Sequence, residues 1–145
     1  TADKSIALLD IALRRRFGFR ELLPKPELLE NQDIADINLA NLLTELNTNI
    51  IKKIDKNLQI GHSYLMKNEK AIKTEEQLIS RIKDEILPLL QEYCFDDFSM
   101  LEEILGPKLV NLEQGRFNEE IFSSAGKELI INSLKNILTE ESTDE

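Results

Sequence analysis

A single cysteine, Cys94, leaves no pair for an internal disulfide, so the expected setting is a reducing one and the expected location cytoplasmic. One histidine beside one cysteine is too few for the nitrogen and sulfur ligands of a zinc site, and no metal site is expected. Tryptophan is absent, and glycine (five) and proline (four) are scarce, which disfavours a turn-rich β fold and favours helices. No apolar run approaches the ~20 residues of a membrane span, and no stretch has the basic-then-apolar pattern of a signal peptide, so no membrane partner is expected. Positive charge is in deficit: 18 Lys and Arg against 27 Asp and Glu give −9, which argues against a non-specific grip on nucleic acid. The last absence is chemical. Nucleotide hydrolysis needs a glycine-rich phosphate loop with its lysine, and an acidic residue for magnesium. No G-x-x-x-x-G-K-[S/T] string occurs, and Gly126-Lys127 has nothing of such a loop before it. The isolated chain is expected to hydrolyse neither GTP nor ATP.

What is present begins with Thr1 to Phe19, TADKSIALLDIALRRRFGF. Asp3 and Ser5 can each cap a helix start. Ile6, Leu9, Leu13 and Phe17 recur at three- and four-residue steps and so share one face. Asp10 precedes Arg14 by one turn and suits an i,i+4 ion pair. Arg14, Arg15 and Arg16 close the helix, where positive charge offsets the macrodipole. Consecutive helix residues fan out, however, so three arginines cannot all serve one set of carbonyls. Arg15 points away from the apolar stripe and Arg14 and Arg16 flank it, an arrangement suited to an anionic group on a neighbouring molecule. Phe17 to Leu22 reads as a strand without a partner in this sequence, stopped by Pro24 and Pro26.

Residues 24–37 read as a linker, with a short helical turn at Pro26-Glu27-Leu28-Leu29. From Asn38 to Leu58, the residues Leu39, Leu42, Leu43, Leu46, Ile50, Ile54 and Leu58 mark one helical face, with Glu45 and Asn49 off it and Asn38 as the cap. Gly61 breaks that helix. A second runs from Thr74 to about Tyr93, opened by a Thr74–Gln77 capping box and interrupted at Pro88. Asp96 and Asp97 read as N-cap and first-turn carboxylates of a third, closed by Gly106-Pro107. Leu109 to Leu112 suggests a short strand, Asn118 to Ser124 a loop or extended piece, and 126–138 a last helix. Residues 139–145 form an acidic tail expected to be disordered. Cys94 reads as a small buried hydrophobe.

Three blocks carry a resemblance. The opening string resembles the segment after the sensor-1 position of the McrB family, GTP-dependent AAA+ motors of modification-dependent restriction systems. That pattern runs MNTADRS, an apolar helix, ALRRRF and an aromatic strand; here Lys4 replaces the Arg and the Met-Asn does not appear. Ile60-Gly61-His62-Ser63-Tyr64 is similar to the family's IGHSY segment. Leu89-Leu90-Gln91-Glu92-Tyr93 with Asp96-Asp97-Phe98 is similar to its LLQEYFYDD region. Together they span roughly the first two thirds of the chain. The resemblance implies a mainly α fold: a helical bundle over 38–138 corresponding to an AAA+ C-terminal lid subdomain, preceded over 1–23 by a helix and strand left from the AAA+ α/β core.

The same resemblance implies that the chain is the C-terminal portion of a longer subunit, begun inside a motif. The parent would hydrolyse GTP with Mg²⁺ in a homo-oligomeric ring, a hexamer, and drive a McrC-like endonuclease partner that cuts DNA carrying methylated cytosine. By resemblance Arg16 matches the trans arginine finger most closely, with Arg15 next. Thr1 and Asp3 are the remainder of the sensor-1 motif with a positioning role, and His62 lies where a lid approaches nucleotide. Many AAA+ lids use an Arg there, and a capping or packing role is the simpler reading of His62. Two other readings stand beside this one: another AAA+ protein, an ATP-driven remodeller, and a non-catalytic helical module whose arginines bind an acidic partner.

Overall fold

Asn38 does two jobs at the start of the central helix. In a computed structural model describing residues 24–55 and 57–140, it caps α1 (Leu39–Lys53), its Oδ1 accepting from the Asn41 N–H at 3.0 Å. Its Nδ2 donates to Asn31 Oδ1 (2.7 Å) and Asp33 Oδ1 (2.9 Å), tying the helix to a hairpin of β1 (Asp33–Ile34) and β2 (Ile37–Asn38). The helix and strand expected over 1–23 and the tail residues 141–145 lie outside the described residues.

The linker expected over 24–37 is instead part of the core. Pro26–Leu29 is a 3-10 turn packed on α1, and Leu29, Ile34 and Ile37 are buried in the same cluster as Leu42, Leu43 and Leu46. Three apolar side chains, each stabilised by roughly 1.5–3 kcal/mol on burial, hold the segment down; spaced at irregular intervals, they carry no helical or strand period.

α1 packs against the Pro26–Leu29 turn and two later helices, α4 (Phe98–Leu105) and α5 (Gly126–Glu140), so more than one of its faces is covered. Glu45, expected off the apolar face, is consequently buried, and Asn49 reaches Ile104 O on α4 at 3.4 Å. α1 ends earlier than expected, at Lys53. The Ile54 and Asp55 amides both close on Ile50 O, and Asp55 Oδ1 accepts from the Asn57 N–H, so Leu58 enters the core from a loop.

The second rod is α2 (Glu75–Arg81), a π-helical turn (Ile82–Ile86) and α3 (Leu87–Tyr93). The Thr74–Gln77 capping box is present. Pro88 lacks the N–H that would bond one turn back, and its ring would crowd the carbonyl there. The backbone widens just before it, and the Leu87 N–H reaches Ile82 O. A π-turn is one of the recognised ways a helix absorbs such a defect. Asp97 alone caps α4, its Oδ1 accepting from the Ser99 and Met100 N–H groups. Asp96, expected to share that role, has φ 64 and accepts instead from Gln91 Nε2 at 2.9 Å. Gly106 (φ 88) closes α4 as expected.

Two further hairpins are present, β3 (Met66–Lys67) with β4 (Lys70–Ala71), and β5 (Val110–Asn111) with β6 (Arg116–Phe117); of these and the β1–β2 hairpin, only β5 was expected, as the short strand at Leu109 to Leu112. Residues 119–122 form a 3-10 turn rather than a loop or extended piece, and α5 runs two residues past its expected end, to Glu140. Among the described residues the fold is mainly helical, as the resemblance implied, and its four rods are α1, the α2–α3 rod, α4 and α5. No helix among them is long and apolar enough to cross a membrane.

Gly126 starts α5 against that 3-10 turn. A Cβ there would fall on the Ile121 carbonyl, which is backbone and cannot rotate away. Gly126→Ala is expected to destabilise the fold by about 1–3 kcal/mol, as overpacking does, seen as a lower denaturation midpoint with an unchanged slope.

Candidate functional site

The segment Gln59–Tyr64 has little regular structure of its own and is held by side chains from other elements. Asn47, on α1 and only 5% exposed, pairs its amide with both backbone groups of the fully buried Ile60. Its Oδ1 accepts from the Ile60 N–H (2.6 Å) and its Nδ2 donates to Ile60 O (3.0 Å). A strand could have satisfied both groups; here one buried side chain does so. One residue earlier, the buried Tyr93 at the end of α3 donates its hydroxyl to Gln59 O at 3.0 Å. The 89–93 block therefore reaches the residue just before the 60–64 block.

Past this clamp, Gly61 is extended (φ −73, ψ 153), and His62–Leu65 makes a 3-10 turn anchored by the buried Leu65. His62 Nδ1 accepts from the Lys25 N–H at 3.0 Å. An accepting Nδ1 carries no proton, which places the ring proton of neutral His62 on Nε2. The bond ties residue 25, at the edge of the described chain, to this loop. His62 thus holds residue 25 against the loop, and Ser63 beside it is exposed.

Of the expected site residues, the structure places His62. Thr1, Asp3, Arg15 and Arg16 lie outside the described residues. Asn47 and Tyr93 were missed. Asn47 stands among polar residues at 47–49, and nothing in its type distinguishes a buried clamp from a solvated amide. Tyr93 lay inside a quoted motif, but its partner is 34 residues away.

Next to this site, Cys94 is buried and its thiol is pushed up to about 12, first by burial and then by the Asp97 carboxylate. Alkylation follows the thiolate, so iodoacetamide at pH 8 is expected to leave Cys94 intact in the folded chain and modify it after unfolding. The raised value also carries a pH dependence. The folded state resists ionisation, so this contribution to stability is complete below the ordinary value of 9.0 and is lost as pH rises toward about 12.

Among the described residues no group of His, Cys, Asp and Glu could hold a metal ion. The cavity of about 250 Å³ between α2 and α5 is lined by Glu76, Ile79, Ser80, Lys83, Asp84 and Lys127, and shares no residue with the 59–64 segment.

Comparison with known proteins covers the same stretch of chain. The family described as McrB, alpha-helical lid domain, matches residues 38–102, which contain both the Asn47 clamp and the Tyr93 contact. The Type IV methyl-directed restriction enzyme EcoKMcrB subunit of Escherichia coli strain K12 is 37% identical over 111 residues. That covers 67% of this chain and 24% of the relative, so the chain spans about a quarter of the relative's length. No solved structure matches. The chain is McrB-like, and its residues 38–102 are a McrB alpha-helical lid domain.

Proposed function

We propose that this chain is the lid-bearing part of a McrB-like AAA+ subunit that hydrolyses GTP in a homo-oligomeric ring, a hexamer, and drives a McrC-like endonuclease in modification-dependent DNA restriction. The observation that carries the reading is the lid-family match over 38–102. The 37% identity to a subunit named for methyl-directed restriction supports the biological setting, and GTP rather than ATP rests on the resemblance.

The residues here do not form a nucleotide cradle. The sequence has no glycine-rich phosphate loop, and the described residues offer no ligand cluster for magnesium. GTP and Mg²⁺ would be held by parts of the subunit outside this chain. This chain's proposed contribution is of two kinds. Arg16 and Arg15 are lent across a subunit boundary to a neighbour's site, with Thr1 and Asp3 positioning the segment that leads to them. The lid, through Gly61 and His62, closes one side of the site, with His62 holding the loop by its Nδ1 rather than acting on phosphate.

Nucleotide competition on the whole subunit tests the reading. Displacement of a bound fluorescent GTP analogue by GTP at far lower concentration than by ATP is expected. Equal or better displacement by ATP would assign the lid to an ATP-driven remodeller.

A further inference from the structure

The cavity of about 250 Å³ between α2 and α5 shares no residue with the 59–64 segment and takes no part in the nucleotide reading. Most of its lining comes from one face of the second rod. Glu76, Ile79, Ser80, Lys83 and Asp84 follow the three- and four-residue steps of a helix, and Lys127 joins them from the first turn of α5. Lys83 and Asp84 both belong to the π-turn Ile82–Ile86, and such turns recur at functional sites. Pro88 accounts for the break in the helix but not for the charges gathered there.

Two ammonium groups and two carboxylates line this one space without pairing with each other. Among the described residues no ion pair joins Lys83 or Lys127 to Glu76 or Asp84. Lys127 Nζ stands 3.7 Å from Glu75 Oε1, outside the lining and beyond hydrogen-bond distance. Asp84 Oδ2 accepts from Ser80 Oγ at 3.2 Å, which holds the carboxylate by one of its oxygens. Lys83 is half-buried, and its own helix denies it a partner. Ile79, Ser80, Ile86 and Leu87 occupy the positions three and four residues away, and none is acidic. A partly desolvated ammonium without a counter-ion is a cost that an incoming anion removes.

The lining selects its occupant by charge. A simple anion would meet Glu76 and Asp84, and a simple cation would meet Lys83 and Lys127. The two carboxylates are also too few to hold a metal ion, and an apolar molecule would find only Ile79. A molecule carrying both signs meets all four charges. We propose that this cavity binds a small zwitterion of amino-acid size, its carboxylate taken by Lys83 and Lys127 and its ammonium by Glu76 and Asp84. Size follows from the volume. At ~30 Å³ per water the cavity of about 250 Å³ holds about eight waters, which suits a molecule of about as many non-hydrogen atoms and excludes a nucleotide. The bound molecule ties the second rod to α5, and it needs no nucleotide to do so.

Titration of the whole chain with L-alanine and with 4-aminobutanoate, followed by amide chemical shifts, tests the site. The two probes differ in the distance between their charges. At least one is expected to saturate, with a dissociation constant on the order of 1 mM for so small a ligand. Amides over 79–84 and 126–128 are expected to shift while those over 59–64 stay in place. Acetate and ethylamine, with one sign each, are expected to bind about tenfold more weakly or worse. Lys83→Met keeps the stem and removes the charge, and Asp84→Asn keeps the shape. Each is expected to weaken binding about tenfold, with the circular dichroism of the folded chain unchanged. Lys135→Met, on the same helix as Lys127 but outside the lining, is expected to bind like wild type. Failure of both probes to saturate, single-sign ions that bind as well as the zwitterions, or lining variants that bind like wild type overturns the proposal. Each of these leaves the arginine and nucleotide assignments standing, since those use other residues.

Discussion

Replacing Arg15 and Arg16 together by alanine in the whole subunit is expected to lower nucleotide turnover by roughly 10³ to 10⁵ while leaving nucleotide affinity near wild type. An arginine lent to a transferring phosphoryl group meets charge that appears only in the transition state, so its loss falls on turnover rather than on binding. At ~1.4 kcal/mol per tenfold the effect is about 4–7 kcal/mol, far above the 0–1 kcal/mol of an exposed ion pair. Arg14→Ala is the internal control. Four residues after Asp10 in sequence, it is expected to change turnover little and stability by a few tenths of a kcal/mol. Steady-state phosphate release and a binding titration read both outcomes. Normal turnover with weakened binding of an acidic partner would instead identify a non-catalytic interaction module.

The second large effect belongs to Asn47. Its side chain satisfies the N–H and the C=O of a fully buried residue, Ile60. Asn47→Ala leaves both groups without partners at roughly 1–3 kcal/mol each, a total of about 2–6 kcal/mol. Asn47→Asp separates the two bonds, since a carboxylate still accepts from the Ile60 N–H but cannot donate to Ile60 O and is itself a buried charge. Denaturant unfolding is expected to rank wild type well above both variants. Tyr93→Phe, which removes only the bond to Gln59 O, is expected to cost about 1 kcal/mol. If Asn47→Ala unfolds at the wild-type midpoint, the clamp does not hold the 59–64 segment.

Elements set by local chemistry were legible in the sequence. The Asn38 cap, the Thr74–Gln77 capping box, the Gly106 stop and the apolar stripe of α1 each depend on residues within a turn or two of one another. What escaped depends on distant partners. The 24–37 segment has too few apolar residues for a period and is fixed by contact with α1. Glu45 is buried because α4 and α5 cover a second face of α1, which its own helical pattern does not reveal. The three hairpins have two-residue strands, below the length at which alternation can be read, and only β5 was anticipated, as a short strand without its partner. Pro88 announced a break, and its form, a π-turn, depended on the backbone having room to widen. At the candidate site, the 60–64 motif and His62 could be picked out, but the Asn47, Tyr93 and Lys25 contacts that hold them lie 13, 34 and 37 residues away in sequence.

Subunit mixing tests most directly whether guanidinium groups from one copy complete the site of the next. One variant carries Arg15→Ala and Arg16→Ala; the other keeps the arginines and has its phosphate-loop lysine replaced. Each alone is expected to be nearly inactive. Mixed, a copy with an intact cradle can sit beside a copy with intact arginines, and turnover is expected to return to a substantial fraction of wild type. A mixture as inactive as its components, in rings shown by sedimentation to contain both, would contradict the account.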